Sequence, residues 1–407
     1  MKKGLLLLSF AGSLLLAATA FAQEPTSPVQ GRIVAPPSTL GLPTLRVHTP
    51  LYVFVPDGVI HDAQNPPANA ENPGSLACVY GVTAPTNGCP RTGSPVATGG
   101  SNAIAVVDFG HNSTLQADFN AFNTFYGLPQ QTLIFNSDCG SSPSNDGTGW
   151  DLETALDVEY AHAMAPHAQI IVSEFCNDPF DGGTSAAEYK AGQLVSAHGG
   201  GEVNNSFTFN GGEFSDELSL DQFMHTNGVT YYSSAGDSGL GPQYPSVSPN
   251  TVSVGGTRIM RDSNGMFTGQ ETCWSGSGGG ISQFEPLPQY QLFVANRTNF
   301  KRGTPDWAAD AQPASGAAVF STTACNGWCQ VGGTSLAAPL LAGIVNQAGH
   351  FKASSPLELS MTYQWYIRPV TYATNFRDVT SGSNGQNAVP GWDQCTGLGT
   401  PKSGSQF

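Results

Sequence analysis

The chain has 407 residues, of which 39% are hydrophobic and only 11% charged, so it is long and apolar enough to bury a large core. Its formal net charge of −15 reflects 30 acidic and 15 basic residues. So few lysines and arginines exclude the class of proteins that bind nucleic acid by neutralising phosphate, and we expect no nucleic-acid partner. An acidic chain suits low pH, where protonated carboxyl groups reduce self-repulsion.

Residues 1–22 have the pattern of a secretory signal peptide. Lys2 and Lys3 precede a mostly apolar stretch, and residues 20–22 (Ala-Phe-Ala) form a small-x-small cleavage site. A membrane anchor is the alternative, but the apolar stretch is short for a span and no later segment has 18 consecutive apolar residues. We therefore expect a secreted protein, extracellular or periplasmic, with no membrane contact once the signal is removed.

Residues 23–72 form a proline-rich, irregular extension. One strand-like run, Leu51 to Val55, interrupts it. The extension is expected to lie over the main domain, residues 73–407, and not to be a domain of its own.

Within the main domain, apolar strand candidates alternate with helical segments. The predicted strands are 103–109, 132–135, 169–175, 201–207, 229–235 and 251–255. The predicted helices are 115–126, 150–165, 184–197, 216–226 and one that follows Ser335. Nearly continuous apolar strands between helices indicate an α/β fold, a doubly wound and mainly parallel sheet with helices on both faces. Ligands bind such sheets at the carboxyl ends of the strands, so the loops there are expected to carry the function.

Eight cysteines in a secreted chain indicate disulfide bonds. Pairings that close short loops or join neighbouring loops are Cys78–Cys89, Cys325–Cys329 and Cys139–Cys176. The sequence alone does not fix this connectivity.

Ser335 has the surroundings of a nucleophile. Gly333 and Thr334 lead into it, and the apolar run 336–345 follows with the period of a buried helix. Ser335 is therefore expected at a helix N-terminus, where unpaired N–H groups and the positive end of the helix dipole stabilise negative charge. Pro339 cannot donate to the Ser335 carbonyl, so the first turn should be distorted around the serine. An ordinary serine in a buried helix is the alternative.

A serine nucleophile needs a base, and no histidine of this chain has a glycine-flanked catalytic context. Glu153 and Asp157 lie four residues apart on one face of predicted helix 150–165, among apolar neighbours. Two carboxyl groups held together separate in pKa and can pass a proton between them at acidic pH, where a histidine would already be charged. The alternative is an acidic, solvated helix face.

Asp237 follows a predicted strand in a glycine-bounded turn, at the carboxyl edge of the sheet. A protonated aspartic acid there can donate a hydrogen bond to an oxyanion. The alternative is an aspartate that caps its own turn.

Taken together, these residues resemble the sedolisins, the serine-carboxyl peptidases that include the kumamolisin-like enzymes. The matching motifs lie at residues 153–166, 236–239 and 333–339, with further similarity at 205–207, 274–283 and 303–306. The resemblance implies a subtilisin-like fold and an acid-acting endopeptidase with protein or peptide substrates, and we expect it to act as a monomer.

The resemblance also implies a role for each site residue. Ser335 attacks the scissile carbonyl, and Glu153 accepts its proton and later gives it to the leaving amine. Asp157 orients Glu153 and shares its proton. Asp237 and the Ser335 backbone N–H stabilise the oxyanion.

Sedolisins bind one structural calcium ion near the C-terminus, and the turns around Asp378 and Asp393 resemble that site. The ligands implied are two carboxylates and three backbone carbonyls, from Asp378, Val379, Val389, Gly391 and Asp393. Val389 stands where the family usually has glycine. The family's large N-terminal prodomain has no counterpart in residues 23–72, so self-processing does not follow from the resemblance.

Two further hypotheses about the function of the chain remain open from its sequence. Asp108 lies where subtilisin-type enzymes keep their catalytic aspartate, but the His-Gly-Thr-His stretch of those enzymes is missing. A non-catalytic secreted binding protein that retains the peptidase fold is the other alternative.

Overall fold

The computed structural model describes residues 30–58, 62–137, 142–176 and 183–407. The predicted signal peptide and the first residues of the extension lie outside this part of the chain. Within it, none of the helices combines the length and the apolar character that crossing a membrane requires.

The elements alternate as the sequence indicates. The strands are β1 (Gly31–Val34), β2 (Val47–His48), β3 (Tyr52–Pro56), β4 (Ala103–Phe109), β5 (Ile134–Ser137), β6 (Gln169–Phe175), β7 (Gly201–Asn205), β8 (Thr208–Phe209), β9 (Val229–Ser234), β10 (Thr251–Arg261), β11 (Phe267–Cys273), β12 (Gly280–Pro286), β13 (Lys301–Thr304), β14 (Trp307–Asp310), β15 (Ala317–Ser321), β16 (Gly327–Gly332), β17 (Phe376–Arg377) and β18 (Thr400–Pro401). The α-helices are α1 (Pro37–Leu40), α2 (Pro73–Val79), α3 (Leu115–Tyr126), α4 (Trp150–Met164), α5 (Gly183–Ala197), α6 (Thr322–Cys325), α7 (Thr334–Ala348), α8 (Ser355–Tyr366) and α9 (Pro369–Asn375).

A central sheet has the strand order β11-β10-β9-β7-β4-β6-β5, with β14 also paired to β10. Every pairing in it is parallel except β10–β11. Side chains alternate across β4, so Ile104 and Val106 pack in the core with α4 and α7, whereas Ala105 packs in a second core with α5. Helices therefore cover both faces, and the predicted fold class is confirmed.

The predicted helix at 216–226 is wrong. The chain there forms two short 3₁₀ helices, Glu217–Ser219 and Asp221–Met224. The Ser219 hydroxyl donates to the Asp216 carbonyl at 2.7 Å, and local bonds of this kind compete with the α-helical ladder. The predicted strand at 132–135 lies two residues further along, while the other predicted strands begin where expected.

The extension packs on the main domain through two sets of strand pairs. β1 and β3 join β16 and β15 in a second sheet of order β1-β3-β16-β15, and β2 pairs with β8. The strand predicted at 51–55 corresponds to β3. Because β16 runs directly into α7, the extension lies beside the start of that helix.

Two of the three predicted disulfide bonds are present, and one bond was not anticipated. The observed pairs are Cys78–Cys89, Cys325–Cys329 and Cys273–Cys395. Cys139 lies outside the described residues, so its predicted pairing stays a prediction.

Candidate active site

Ser335 is the second residue of α7, and a single glycine makes the turn from β16 into this helix. Gly333 has φ 129°, a conformation that L side chains rarely adopt, and a Cβ there would lie 2.1 Å from the Pro50 carbonyl oxygen. Ser335 has no exposed surface. Its N–H donates to the Pro50 carbonyl at 3.2 Å, so a carbonyl group occupies the N-terminal end of α7.

Pro339 lies inside α7 and leaves the Ser335 carbonyl without its usual helical donor. The Ser206 hydroxyl lies 3.5 Å from that carbonyl oxygen and donates to Asp157 Oδ1 at 2.8 Å. The Ser335 carbonyl that Pro339 leaves without a helical donor therefore lies next to Ser206, the residue that binds Asp157 of α4.

Glu153 and Asp157 lie on α4, in which all 15 residues are buried. Asp157 accepts hydrogen bonds from Asn204 Nδ2 at 2.7 Å and from the Ser206 hydroxyl at 2.8 Å. Neither Glu153 oxygen nor Ser335 Oγ forms a hydrogen bond of normal geometry within the described residues. The interpretation of these acids as a solvated helix face is therefore wrong, and Glu153 is the uncommitted carboxyl group beside the serine.

Burial raises the pKa of both carboxyl groups well above the ordinary range, and the negative charge of Asp108 raises them further. The Ser335 hydroxyl lowers the pKa of Glu153, and the hydrogen bonds from Ser206 and Asn204 lower that of Asp157. Asp157 accepts two hydrogen bonds, which stabilise its ionised form, whereas Glu153 accepts none of normal geometry. When the pair shares one proton, the negative charge is therefore favoured on Asp157 and the proton on Glu153.

Asp237 lies in the turn after β9, at the carboxyl edge of the sheet. Its Oδ1 accepts from the backbone N–H and the hydroxyl of Thr334, both at 2.8 Å, whereas the buried Oδ2 has no hydrogen-bond partner among the described residues. Burial raises the pKa of Asp237 to about 7. Below that pH the proton belongs on Oδ2, which can then donate. Asp237 thus binds the start of α7 through Oδ1, and Oδ2 is available to bind a ligand.

Asp108 is a fourth carboxyl group of the site, and the sequence analysis considered it only as a subtilisin-type aspartate. It lies on β4, directly opposite Glu174 of β6, and is completely buried without a hydrogen-bond partner in the described part of the chain. Burial and the charge of Glu174 raise its pKa to about 8. The available signal was a single acid at the carboxyl end of an otherwise apolar strand.

The subtilisin-type hypothesis needs a histidine that takes the proton of Ser335. His48 is bonded to Asn210 and Thr208, and His162 to the Pro129 carbonyl. His111 and His198 contact Glu174 and the Leu194 carbonyl. Within the described residues no histidine is hydrogen-bonded to Ser335, so the geometry favours a carboxyl base.

The residues of the predicted calcium site lie together in one loop. Gly391 N–H donates to both oxygens of Asp378, at 3.2 and 2.9 Å, and Asp393 Oδ2 accepts from Val389 N–H at 2.9 Å. Burial raises the pKa of both acids.

Arg297 lies against the same loop. It donates to the Pro390 and Trp392 carbonyls at 3.1 and 2.6 Å. No hydrogen bond among the described residues uses the carbonyls of Val379, Val389 or Gly391. Two carboxylates and three free carbonyl oxygens are a donor set that fits a calcium ion.

Comparison with known proteins agrees with this geometry. The Subtilase family matches residues 139–392, which is more than half of the chain. Kumamolisin of Bacillus sp. (strain MN-32) is 31% identical over 354 residues, covering 74% of this chain and 59% of kumamolisin. Sedolisin of Pseudomonas sp. (strain 101) is 26% identical over 348 residues, covering 75% of this chain and 57% of sedolisin. The chain thus spans less than two thirds of the length of these relatives.

Among solved structures, Pseudomonas sedolisin, a serine-carboxyl proteinase complexed with two molecules of pseudo-iodotyrostatin, matches with a TM-score of 0.64 at 23% identity, covering 82% of this chain and 95% of that one. This likeness establishes the subtilisin-like fold. The family match shows that the chain belongs to the subtilase family, and the two relatives place it among the sedolisins.

Proposed function

We propose that this chain is an acid-acting serine-carboxyl endopeptidase with Ser335 as its nucleophile. The observation that carries this proposal is a buried carboxyl group, Glu153, that lies close enough to the buried Ser335 for the serine hydroxyl to lower its pKa, while no histidine in the described part of the chain is hydrogen-bonded to Ser335. Membership of the sedolisins supports it. The substrates proposed are proteins or peptides.

In the proposed reaction, Ser335 Oγ attacks the scissile carbonyl carbon while its proton passes to Glu153, which releases its own proton to the ionised Asp157. Glu153 then gives that proton to the leaving amine, and a water molecule attacks the acyl-enzyme by the same route in reverse. Asp157 keeps Glu153 in place and shares its proton, because Asn204 and Ser206 hold Asp157 on its other side.

The oxyanion formed in each step is stabilised by two donors. One is the Ser335 backbone N–H at the positive end of α7. The other is the protonated Oδ2 of Asp237, whose Oδ1 is fixed by Thr334. One donor of this kind contributes roughly a hundredfold to a thousandfold in rate.

The test is hydrolysis of an unfolded protein at about pH 4, well below the pKa of about 7 at which Asp237 loses its donor proton. We expect Ser335→Ala and Glu153→Gln each to lower the rate by more than about a thousandfold. Matched controls are Ser360→Ala on α8 and Glu358→Gln, a buried glutamate outside the site, and both should leave the rate unchanged. Equal rates for wild type and Ser335→Ala would contradict the proposal.

We also propose that one calcium ion binds Asp378 and Asp393 together with the carbonyls of Val379, Val389 and Gly391. The ion would supply structural stability to the C-terminal loops. Arg297 is compatible with this arrangement, because it binds the carbonyls of Pro390 and Trp392 and not those of Val389 and Gly391.

We propose further that the protein is secreted and acts as a monomer. The support for secretion is the signal-peptide pattern of residues 1–22 and the acidic composition. N-terminal sequencing of the exported protein, with Gln23 as the expected first residue before any later processing, tests it.

A further inference from the structure

One stretch of this acidic chain carries only positive charge. Residues 286–305 contain three basic residues and no aspartate or glutamate, although the whole chain has 30 acidic and 15 basic residues. One of the three, Arg302, is buried and paired with Asp306. The other two, Arg297 and Lys301, have exposed or partly exposed side chains. The charge presented to solvent by this stretch is therefore opposite in sign to that of the chain as a whole.

Large apolar side chains are exposed in the same stretch. The 3₁₀ helix Gln289–Val294 buries three of its six residues, whereas Leu292 and Phe293 are 58% and 49% exposed. Phe300 is 64% exposed, and its N–H donates to the Ala295 carbonyl at 3.0 Å, which brings it back beside the end of this helix. The name basic apolar patch is used below for Leu292, Phe293, Arg297, Phe300 and Lys301.

The backbone holds Phe300 in a conformation that phenylalanine rarely adopts. Asn299 and Phe300 have φ values of 50° and 59°, in the left-handed region that glycine and, less often, asparagine enter readily. The Lys301 N–H closes this turn by donating to the Thr298 carbonyl at 3.0 Å. A strained residue whose aromatic ring is mostly exposed indicates a role for that ring outside the fold, because packing inside the fold does not account for it.

The two cations of the patch form no ion pair in the described part of the chain. Arg297 donates to two carbonyls of the predicted calcium site, and Lys301 Nζ donates to the Gln283 carbonyl at 3.3 Å. Two acids lie nearby. Glu213 accepts from the Gln283 N–H at 3.0 Å, and Asp378 accepts a backbone N–H and interacts with Arg297 only through space. Both positive charges are therefore available to an anion outside the molecule.

We propose that the basic apolar patch binds the surface of an anionic phospholipid bilayer. Its three apolar side chains enter the headgroup layer, and its two cations contact lipid phosphates. Exposed apolar side chains beside basic ones are the combination that binds such an interface. A free phosphate ion would leave the apolar side chains in water. An acidic peptide loses charge at low pH as its carboxyl groups become protonated, whereas a phosphodiester stays ionised.

This binding goes beyond the proposed function. The patch contains none of the proposed catalytic residues, so it needs no peptidase activity, and only the acidic pH used to choose between a lipid and an acidic peptide rests on that function. The proposal also revises the prediction that the mature chain has no membrane contact, because that prediction considered only segments long enough to span a bilayer. Bound in this way, the peptidase would be concentrated at a lipid surface.

The test is co-sedimentation of the purified full chain with vesicles at about pH 4. Vesicles of phosphatidylglycerol and phosphatidylcholine in equal parts should bind it at least about tenfold more strongly than vesicles of phosphatidylcholine alone, and high salt should weaken the binding. Phe293→Ser combined with Phe300→Ser should lower the partition coefficient at least about tenfold. Lys301→Gln should lower it about fivefold, the factor expected for one basic residue near a charged surface.

Matched controls lie on α5, which packs on the other face of the central sheet. Tyr189→Ser removes an aromatic side chain that is 47% exposed, and Lys190→Gln removes one exposed positive charge. Both should bind vesicles as wild type does, and so should Ser335→Ala. Thermal unfolding of every variant confirms that it is folded before its binding is compared.

The outcomes separate this inference from the peptidase function. Wild type that stays in the supernatant, or that binds both kinds of vesicle equally, overturns the proposal, and so does undiminished binding by the variant that lacks Phe293 and Phe300. Retention of wild type on immobilised polyglutamate without binding to vesicles assigns the patch to an acidic peptide and overturns the lipid. Binding through the patch by a chain that hydrolyses no added protein keeps this inference and overturns the peptidase function.

Discussion

Asp237 binds Thr334, the residue immediately before the proposed nucleophile Ser335, through one carboxyl oxygen only. Both donors of Thr334 converge on Oδ1 at 2.8 Å, and Oδ2 is left buried without a partner in the described part of the chain. Because the pKa of Asp237 is raised to about 7, the free oxygen carries a proton below that pH and loses it above. The contact with Thr334 therefore fixes Asp237 at the start of α7, and the Oδ2 oxygen of Asp237 can donate a hydrogen bond only below about pH 7.

The first prediction concerns the alkaline side of the pH–rate profile. Wild type should lose activity as the pH rises through about 7, because Asp237 then ionises and repels the oxyanion. Asp237→Asn keeps a donor at every pH and should remove this decline. Asp237→Ala should lower the rate by roughly a hundredfold or more throughout.

Rates of peptide hydrolysis between pH 3 and pH 9 check this prediction, since that range brackets the ordinary carboxyl pKa and the raised one. Asp216→Asn, at an exposed aspartate outside the site, is the control and should keep the wild-type profile. An unchanged alkaline decline in Asp237→Asn would show that another group causes it.

The second prediction concerns the acid side of the profile. Ser206 is a positioning residue, because its hydroxyl donates to Asp157 Oδ1 and lowers the pKa of that carboxyl. In Ser206→Ala the pKa of Asp157 should rise, so the carboxyl pair keeps its second proton to higher pH. The acid limb of the pH–rate profile should therefore shift to higher pH. A hydrogen bond to a charged group contributes about 1.5–3 kcal/mol, which corresponds to at least about a tenfold loss of rate near pH 4.

The control for this variant is Ser246→Ala. Ser246 is equally buried and bonds Ser253, away from the carboxyl pair. It should reduce stability without moving the acid limb. A limb that stays in place in Ser206→Ala, or moves equally in the control, would contradict the assigned role.

The sequence was sufficient for elements whose signals are local. The period of apolar residues places α3 at its observed bounds, and the Gly333–Ser335 turn follows from glycine freedom and the missing donor of Pro339. The carboxyl pair on α4 follows from helical spacing. Each of these depends on neighbours within a few residues.

Other features depend on contacts between distant parts of the chain, which spacing does not encode. The opposition of Asp108 and Glu174 requires the register of β4 on β6. The course of residues 47–54 requires pairing with β8 and β16, which lie far along the sequence. Local side-chain bonds replaced the predicted helix at 216–226.

The third prediction concerns stability and pH. Glu358 is completely buried, and burial raises its pKa from the ordinary value of 4.5 to about 7, while the positive charge of Lys352 opposes this rise. The unfolded chain releases this proton near 4.5, whereas the folded chain holds it until about 7. The folded state is therefore most favoured below pH 4.5, and this advantage is lost as the pH rises towards 7.

Thermal unfolding of wild type should accordingly give a higher Tm at about pH 4 than at about pH 7. Glu358→Gln removes the titrating group and should recover on the order of 3 kcal/mol at the higher pH, with little change at the lower one. Asp216→Asn is the control at an exposed acid. A Tm difference that Glu358→Gln leaves unchanged would show that Glu358 contributes nothing to the pH dependence.

The last prediction concerns calcium. If Asp378 and Asp393 hold the ion, a chelator should lower Tm by a few degrees, because saturation at a hundredfold excess over Kd stabilises the folded state by about 2.7 kcal/mol. Calcium should restore Tm and magnesium should not, since five protein oxygens in a loop do not provide the small octahedral shell that magnesium requires. Asp393→Asn should abolish the response, whereas Asp262→Asn, which alters an exposed aspartate with a comparable turn-capping role, should keep it. A wild-type Tm that does not change when the chelator is added at neutral pH would contradict the site independently of any activity assay.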